Sequence, residues 1–63
     1  MVLLFLAKAY YNRANLLTKH YKQFPKALAD FTTAIDLDPD HAMAYYNRAI
    51  LLENHFKRKT ELI

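Results

Sequence analysis

The 63-residue chain contains no cysteine and no glycine, and only two prolines, Pro25 and Pro39. Without cysteine no disulfide can staple the fold, and the redox compartment stays undetermined. Without glycine the tight turns that need positive φ are hard to build, which argues against hairpins and β-architecture. Long apolar runs are missing as well. The opening Met-Val-Leu-Leu-Phe-Leu has no basic residue ahead of it, and Lys8 soon interrupts it. That is too short for a secretory core and far short of the ~20 residues of a membrane span. It reads as the start of a helix, and the localisation reads as cytoplasmic. Charge of one sign is scarce too. Nine Lys and Arg against six Asp and Glu leave a net +3, which permits acidic partners without demanding them. A chain this short makes at most one domain, and it buries only about 60% of the surface it exposes when unfolded.

What is abundant favours helix: alanine, leucine, lysine and other straight-chain residues. The prolines cut the chain into three segments, predicting an all-α fold with helices at about 2–22, 25–37 and 41–60. In the first, Leu3, Leu6, Tyr10, Ala14, Leu17 and Tyr21 recur every three or four positions, the period of an amphipathic helix. Pro25 suits the first turn of the second, where its missing N–H costs nothing. Leu28, Phe31 and Ile35 line one face of that helix, beside Ala27 and Ala34. Asp38-Pro39 stops it, and Asp40 is positioned to cap the third helix. Ala42, Tyr45, Ala49 and Leu52 then repeat the pattern of the first.

The repetition is literal. Ala-Tyr-Tyr-Asn-Arg-Ala stands at 9–14 and again at 44–49, and residues 9–22 laid on 44–57 give ten identities, including His20/His55 and Lys22/Lys57. One full helix pair is followed by the first helix of another.

These residues resemble the tetratricopeptide repeat, a helix-turn-helix unit with the pattern W-x2-L-G-x2-Y, then A-x3-F, then P. Tyr10 stands at the Trp position, Ala14 at the Gly position and Leu17 at the Tyr position. Ala27-x3-Phe31, Ala34 and Pro39 match the second half. The resemblance covers about residues 7–57. It divides the chain into an N-terminal helical extension (1–6), a full repeat (7–41) and the first helix of a second repeat (42–63). Ala14, Ala27 and Ala34 are small where helices approach closely, and Tyr10, Leu17, Leu28 and Phe31 fill the space between them.

The chain departs from the family in three places. Its period is thirty-five residues, with the extra residue falling near Lys19–Lys22. The turn between the paired helices lacks the family's glycine, so a strained or irregular turn is expected there. The second copy loses its breaker, because Lys59 and Thr60 stand where Phe24 and Pro25 stood.

Repeat units bury their faces on neighbours, and about three are needed for independent stability. The apolar ends Val2, Leu3, Phe5 and Leu6, and Leu62 and Ile63, have no partner within the array, so either the chain is a piece of a longer array or several copies bury each other's ends; the expectation is a homo-oligomer, with domain exchange as one route to it.

The resemblance implies a non-enzymatic module for protein–protein interaction and scaffolding. In that family the first helices of successive units line a groove for peptides or helical partners. The positions carried over are Lys8, Tyr11, Asn12, Asn15 and Lys19 on the first helix, and Met43, Tyr46, Asn47, Ile50 and Asn54 on the third. Amide side chains can bond a peptide backbone, and tyrosines supply flat apolar area at low entropic cost. Asn15 and Asn47 also match a carboxylate-clamp pattern, but Tyr11 stands where that clamp has lysine. The competing reading is a structural homo-oligomer whose groove is filled by its own copies, with no foreign ligand.

Arg13 and Arg48 read as solvated or paired structural charges, and the acids read as scattered over helix ends and edges. No arrangement of nucleophile and base can be assembled from them. His20, His41 and His55 lack the spacing of a zinc site, so neither metal nor cofactor is expected. Lys57-Arg58-Lys59 with Lys19, Lys22 and Lys26 forms at most a weak basic stripe, which leaves nucleic-acid binding the poorest of the partner classes.

Overall fold

A computed structural model describes residues 2–56. Three helices follow in order: α1 (Val2–Leu16), α2 (Phe24–Leu37) and α3 (Ala42–His55). The all-α expectation holds among the described residues. The positions expected to continue the third helix beyond 56, and Leu62 and Ile63, lie outside them.

The first predicted helix does not run as one winding to residue 22. Leu17–Tyr21 form a π-helical turn, in which each carbonyl reaches one residue further along the chain. The 2.8 Å bond from the Thr18 hydroxyl to the Ala14 carbonyl marks the changeover, because such back-bonding loosens the ordinary ladder. Lys22 then takes the left-handed conformation, φ 53°, and its N–H returns to the Leu17 carbonyl, which also accepts from the Gln23 N–H at 3.0 Å. The expected irregular turn is therefore resolved in two steps: a wider winding takes in the extra residue, and a lysine stands where glycine is favoured.

Phe24, expected to stay outside the second helix, is its first residue, with Pro25 in the first turn. The helix stops at Leu37, where the Asp38 N–H bonds to the Ala34 carbonyl at 2.9 Å. Asp40 does not cap α3. His41 occupies that position without a side-chain bond. Asp38 tightens the connection instead, its carboxylate accepting the Asp40 N–H at 3.1 Å.

Helix α2 is the middle element and packs on both others. Ala14, Ala27, Phe31 and Leu51 form one buried cluster, with Tyr11, Leu17, Phe24, Leu28 and Phe56 packed around it. Ala34, Ile35 and Ala44 form a second, bordered by Tyr10 and Tyr11. Ala14, Ala27, Ala34 and Ala44 are completely buried, because only a methyl group allows the backbones to close to this distance. Tyr11 touches both clusters, so its ring belongs to the packing as much as to any groove.

The two copies are not buried alike. Ala14 is inaccessible while its counterpart Ala49 is exposed, and Ala44 is inaccessible while its counterpart Ala9 is exposed. Helix α1 presents one flank to α2, and α3 presents the other. Tyr45, placed by pattern among the packing residues, is consequently exposed.

Candidate protein-interaction groove

Helices α1 and α3 meet along a polar seam. The Asn47 side-chain amide donates to the Tyr11 hydroxyl and to the Asn15 side-chain oxygen Oδ1, both at 3.1 Å. Beside this seam lies a half-open groove of about 290 Å³. Asn15, Lys19, Asn47, Ile50 and Asn54 line it, and Phe31 and Leu51 reach it from the core. The spacing explains the convergence. Residues 47, 50 and 54 follow the three- and four-residue steps of one helical face, as do 15 and 19. Thr18, on the π turn, lines the same groove. His55, stacked on Phe24 with ring centroids 3.8 Å apart, borders its end.

The remaining carried-over positions lie elsewhere. Lys8 and Met43 border a shallower depression beside the α2–α3 connection, with Leu4, Asp38, Asp40 and His41. Asn12 and Tyr46 are exposed and line neither concavity. Five of the ten positions thus share one groove, and Tyr11 supports it through Asn47.

Arg13 and Asp30 escape a reading from pattern alone. Asp30 lies on the buried stripe of α2, only 5% exposed, and is not at a helix end or edge. A carboxylate there requires compensation. Arg13 supplies it through two bonds, Nε to Oδ2 at 2.6 Å and Nη2 to Oδ1 at 3.0 Å. The hydrogen bond to Asp30, and then its charge, hold the Arg13 guanidinium above its ordinary pKa. The signal was present in the sequence: Asp30 falls three residues after Ala27 and four before Ala34, inside the core stripe. Arg48 bonds the Thr32 hydroxyl at 3.2 Å through Nη1.

The histidines are separately engaged, His41 against Tyr11 at 4.6 Å and His55 on Phe24, with His20 exposed. Among the described residues no three His, Cys, Asp or Glu side chains gather as metal ligands. No helix there is long and apolar enough to cross a membrane. The start of α1 is nonetheless strongly apolar and uncovered, with Val2 72% and Phe5 76% exposed and Leu3 and Leu6 exposed beside them.

No curated protein and no solved structure shows significant similarity to the chain. Residues 31–61 match the family model described as Tetratricopeptide repeat. That match begins on the second half of α2 and continues through α3, crossing the junction where one helix pair gives way to the next helix. With the duplicated Ala-Tyr-Tyr-Asn-Arg-Ala, the buried alanines and the Pro39 stop, it identifies a tetratricopeptide repeat in this chain.

Proposed function

We propose that the groove between α1 and α3 binds an extended segment of a partner protein. Tetratricopeptide repeats are in general non-enzymatic modules of protein–protein interaction. The observation that carries the finer reading is the gathering of Asn15, Lys19, Asn47, Ile50 and Asn54 around one groove. Amides at the rim offer donors and acceptors to a peptide backbone, while Ile50 and the Phe31–Leu51 floor offer apolar contact. Lys19 favours an acidic side chain nearby.

Selection from a random peptide library, followed by amide-detected NMR titration, tests this. Bound peptides are expected to shift the Asn15, Asn47 and Asn54 side-chain signals and to lose affinity on Ile50→Glu. Peptides that bind Ile50→Glu unchanged would place the interaction on another surface. Nucleic acid is the opposite outcome, and it predicts affinity that falls steeply with salt.

The exposed Val2, Leu3, Phe5 and Leu6 support a second reading, self-association through the start of α1, because contiguous apolar surface of this kind favours burial against a partner. Phe5→Glu should then lower the average mass in sedimentation equilibrium. A monomer at every concentration, before and after the change, excludes it. A dimer that retains peptide binding separates the interaction module from a purely structural, domain-exchanged oligomer.

A further inference from the structure

The two copies carry the same Tyr-x2-Arg-Ala-x2-Leu stretch, Tyr10-Arg13-Ala14-Leu17 and Tyr45-Arg48-Ala49-Leu52, but only the first is covered. On α1, Tyr10 packs on the core, Ala14 is completely buried and Arg13 grips Asp30 of α2. On α3, Tyr45 and Ala49 are exposed. The arginines are nevertheless held alike. Arg13 lies 5.5 Å over the Tyr10 ring and Arg48 lies 5.8 Å over the Tyr45 ring. Arg13 uses Nε and Nη2 for its carboxylate, whereas the bond from Arg48 to Thr32 uses Nη1. Among the described residues, the Nε–Nη2 edge of Arg48 has no partner, and no carboxylate lies within salt-bridge distance of it.

We propose that the Tyr45–Arg48–Ala49–Leu52 face docks an acid-bearing amphipathic helix of a partner, whose carboxylate takes the Nε–Nη2 edge of Arg48 as Asp30 takes that of Arg13. The internal copy specifies the chemistry of the occupant. On α2 the covering stripe is Ala27, Asp30, Phe31 and Ala34. The partner helix therefore presents a small residue, a carboxylate three positions on, an aromatic residue directly after it, and a second small residue three further. Small residues allow close approach, the aromatic fills the gap beside Leu52, and the forked pair sets the register. A chain of net charge +3 adds a general attraction for an acidic helix.

This face is distinct from the groove. By helical phase, Tyr45, Ala49 and Leu52 lie on the side of α3 opposite Asn47, Ile50 and Asn54, so the docking reading does not depend on the peptide reading and both sites can be filled together.

A peptide copying Phe24–Leu37, side-chain-stapled because isolated helices of this length are marginal, is the probe. It is titrated against the full chain by fluorescence anisotropy. Saturable binding is expected, weakened roughly five- to tenfold by Asp30→Asn in the peptide. Arg48→Gln in the protein should weaken it equally, with no further loss when the two are combined. Ala49→Leu, a change on an exposed helix surface that leaves the fold intact, should block the same site. Absence of binding, or binding indifferent to Arg48→Gln and Ala49→Leu, overturns the proposal. So does a loss produced by Arg13→Gln alone, which would mean that the peptide merely displaces α2 from α1.

Discussion

Leu16 and Leu51 hold equivalent positions in the two copies, but Leu16 is 46% exposed and Leu51 is 2% exposed. Truncating each to alanine therefore makes the same chemical change in two environments. Leu51 sits with Ala14, Ala27 and Phe31. Two of those neighbours are methyl groups on helix backbones and cannot swing in to fill the space, so a cavity persists. The cost is then about 3 kcal/mol, within the usual range for buried leucine. A domain of this length has roughly 3–9 kcal/mol of stability in total, and Leu51→Ala removes a third of that or all of it. Leu16→Ala forfeits only the buried half of its side chain, about 1 kcal/mol. The gap of about 2 kcal/mol corresponds to midpoints roughly 8–16 °C apart. Urea and thermal unfolding followed by far-ultraviolet circular dichroism, with an osmolyte present to keep Leu51→Ala folded, measures both. Equal losses at the lowest protein concentration would refute the reasoning, since the outer flank of α1 would then be covered within a single chain. A Leu16→Ala loss that grows with protein concentration would instead show that flank buried between copies.

Three further changes probe the same framework. Lys22→Gly should stabilise by about 0.5–1 kcal/mol, because the left-handed conformation after the π turn costs glycine little; a destabilisation in the same unfolding assay would contradict the conformation. Arg13→Met should lower the unfolding midpoint by leaving the buried Asp30 carboxylate without its hydrogen bonds. Adding Asp30→Asn should recover part of that loss, and strict additivity of the two would argue against their coupling. Ala14→Leu should destabilise by about 1–3 kcal/mol through overpacking while Ala49→Leu stays within about 0.5 kcal/mol, and comparable denaturation midpoints for the two would remove the asymmetry between the copies.

The helices were legible because their signals are local. Pro25 and Pro39 punctuate the chain, and the steps from Ala27 through Phe31 to Ala34 trace the buried face of α2. The π turn was legible only in part. A period of thirty-five located an extra residue near Lys19–Lys22, but whether a chain absorbs one residue in a loop or in a wider winding depends on which carbonyls find donors. Here Leu17 accepts from both Lys22 and Gln23. The Arg13–Asp30 pair spans seventeen positions. Pattern could flag a charge on the core stripe, but only the packing of α1 on α2 shows what neutralises it. The groove divided in the same way. Residues one helical face apart, such as Ile50 and Asn54, could be grouped from spacing, whereas the bonds from Asn47 to Tyr11 and Asn15 join different helices and needed the fold.

A literal repeat invites the inference that equal residues do equal work, and burial in this chain contradicts it. Ala14 and Ala49 share five identical residues on one side and, one position further on the other, a leucine pair, yet one is sealed and the other is open. What differs is which flank of each helix α2 occupies. Among the described residues burial thus follows the flank that α2 covers, while the residue pattern is a property of the unit. The exposed copy keeps the same arrangement: among the described residues Arg48 retains the tyrosine support and leaves open the forked edge that Arg13 uses on Asp30. An arginine kept in that posture without a carboxylate contributes little to folding stability. In the proposed docking its energetic consequence comes with the acid-bearing helix, which gives the outer flank of the second sextet a part in recognition while Ala44 keeps its place in the core.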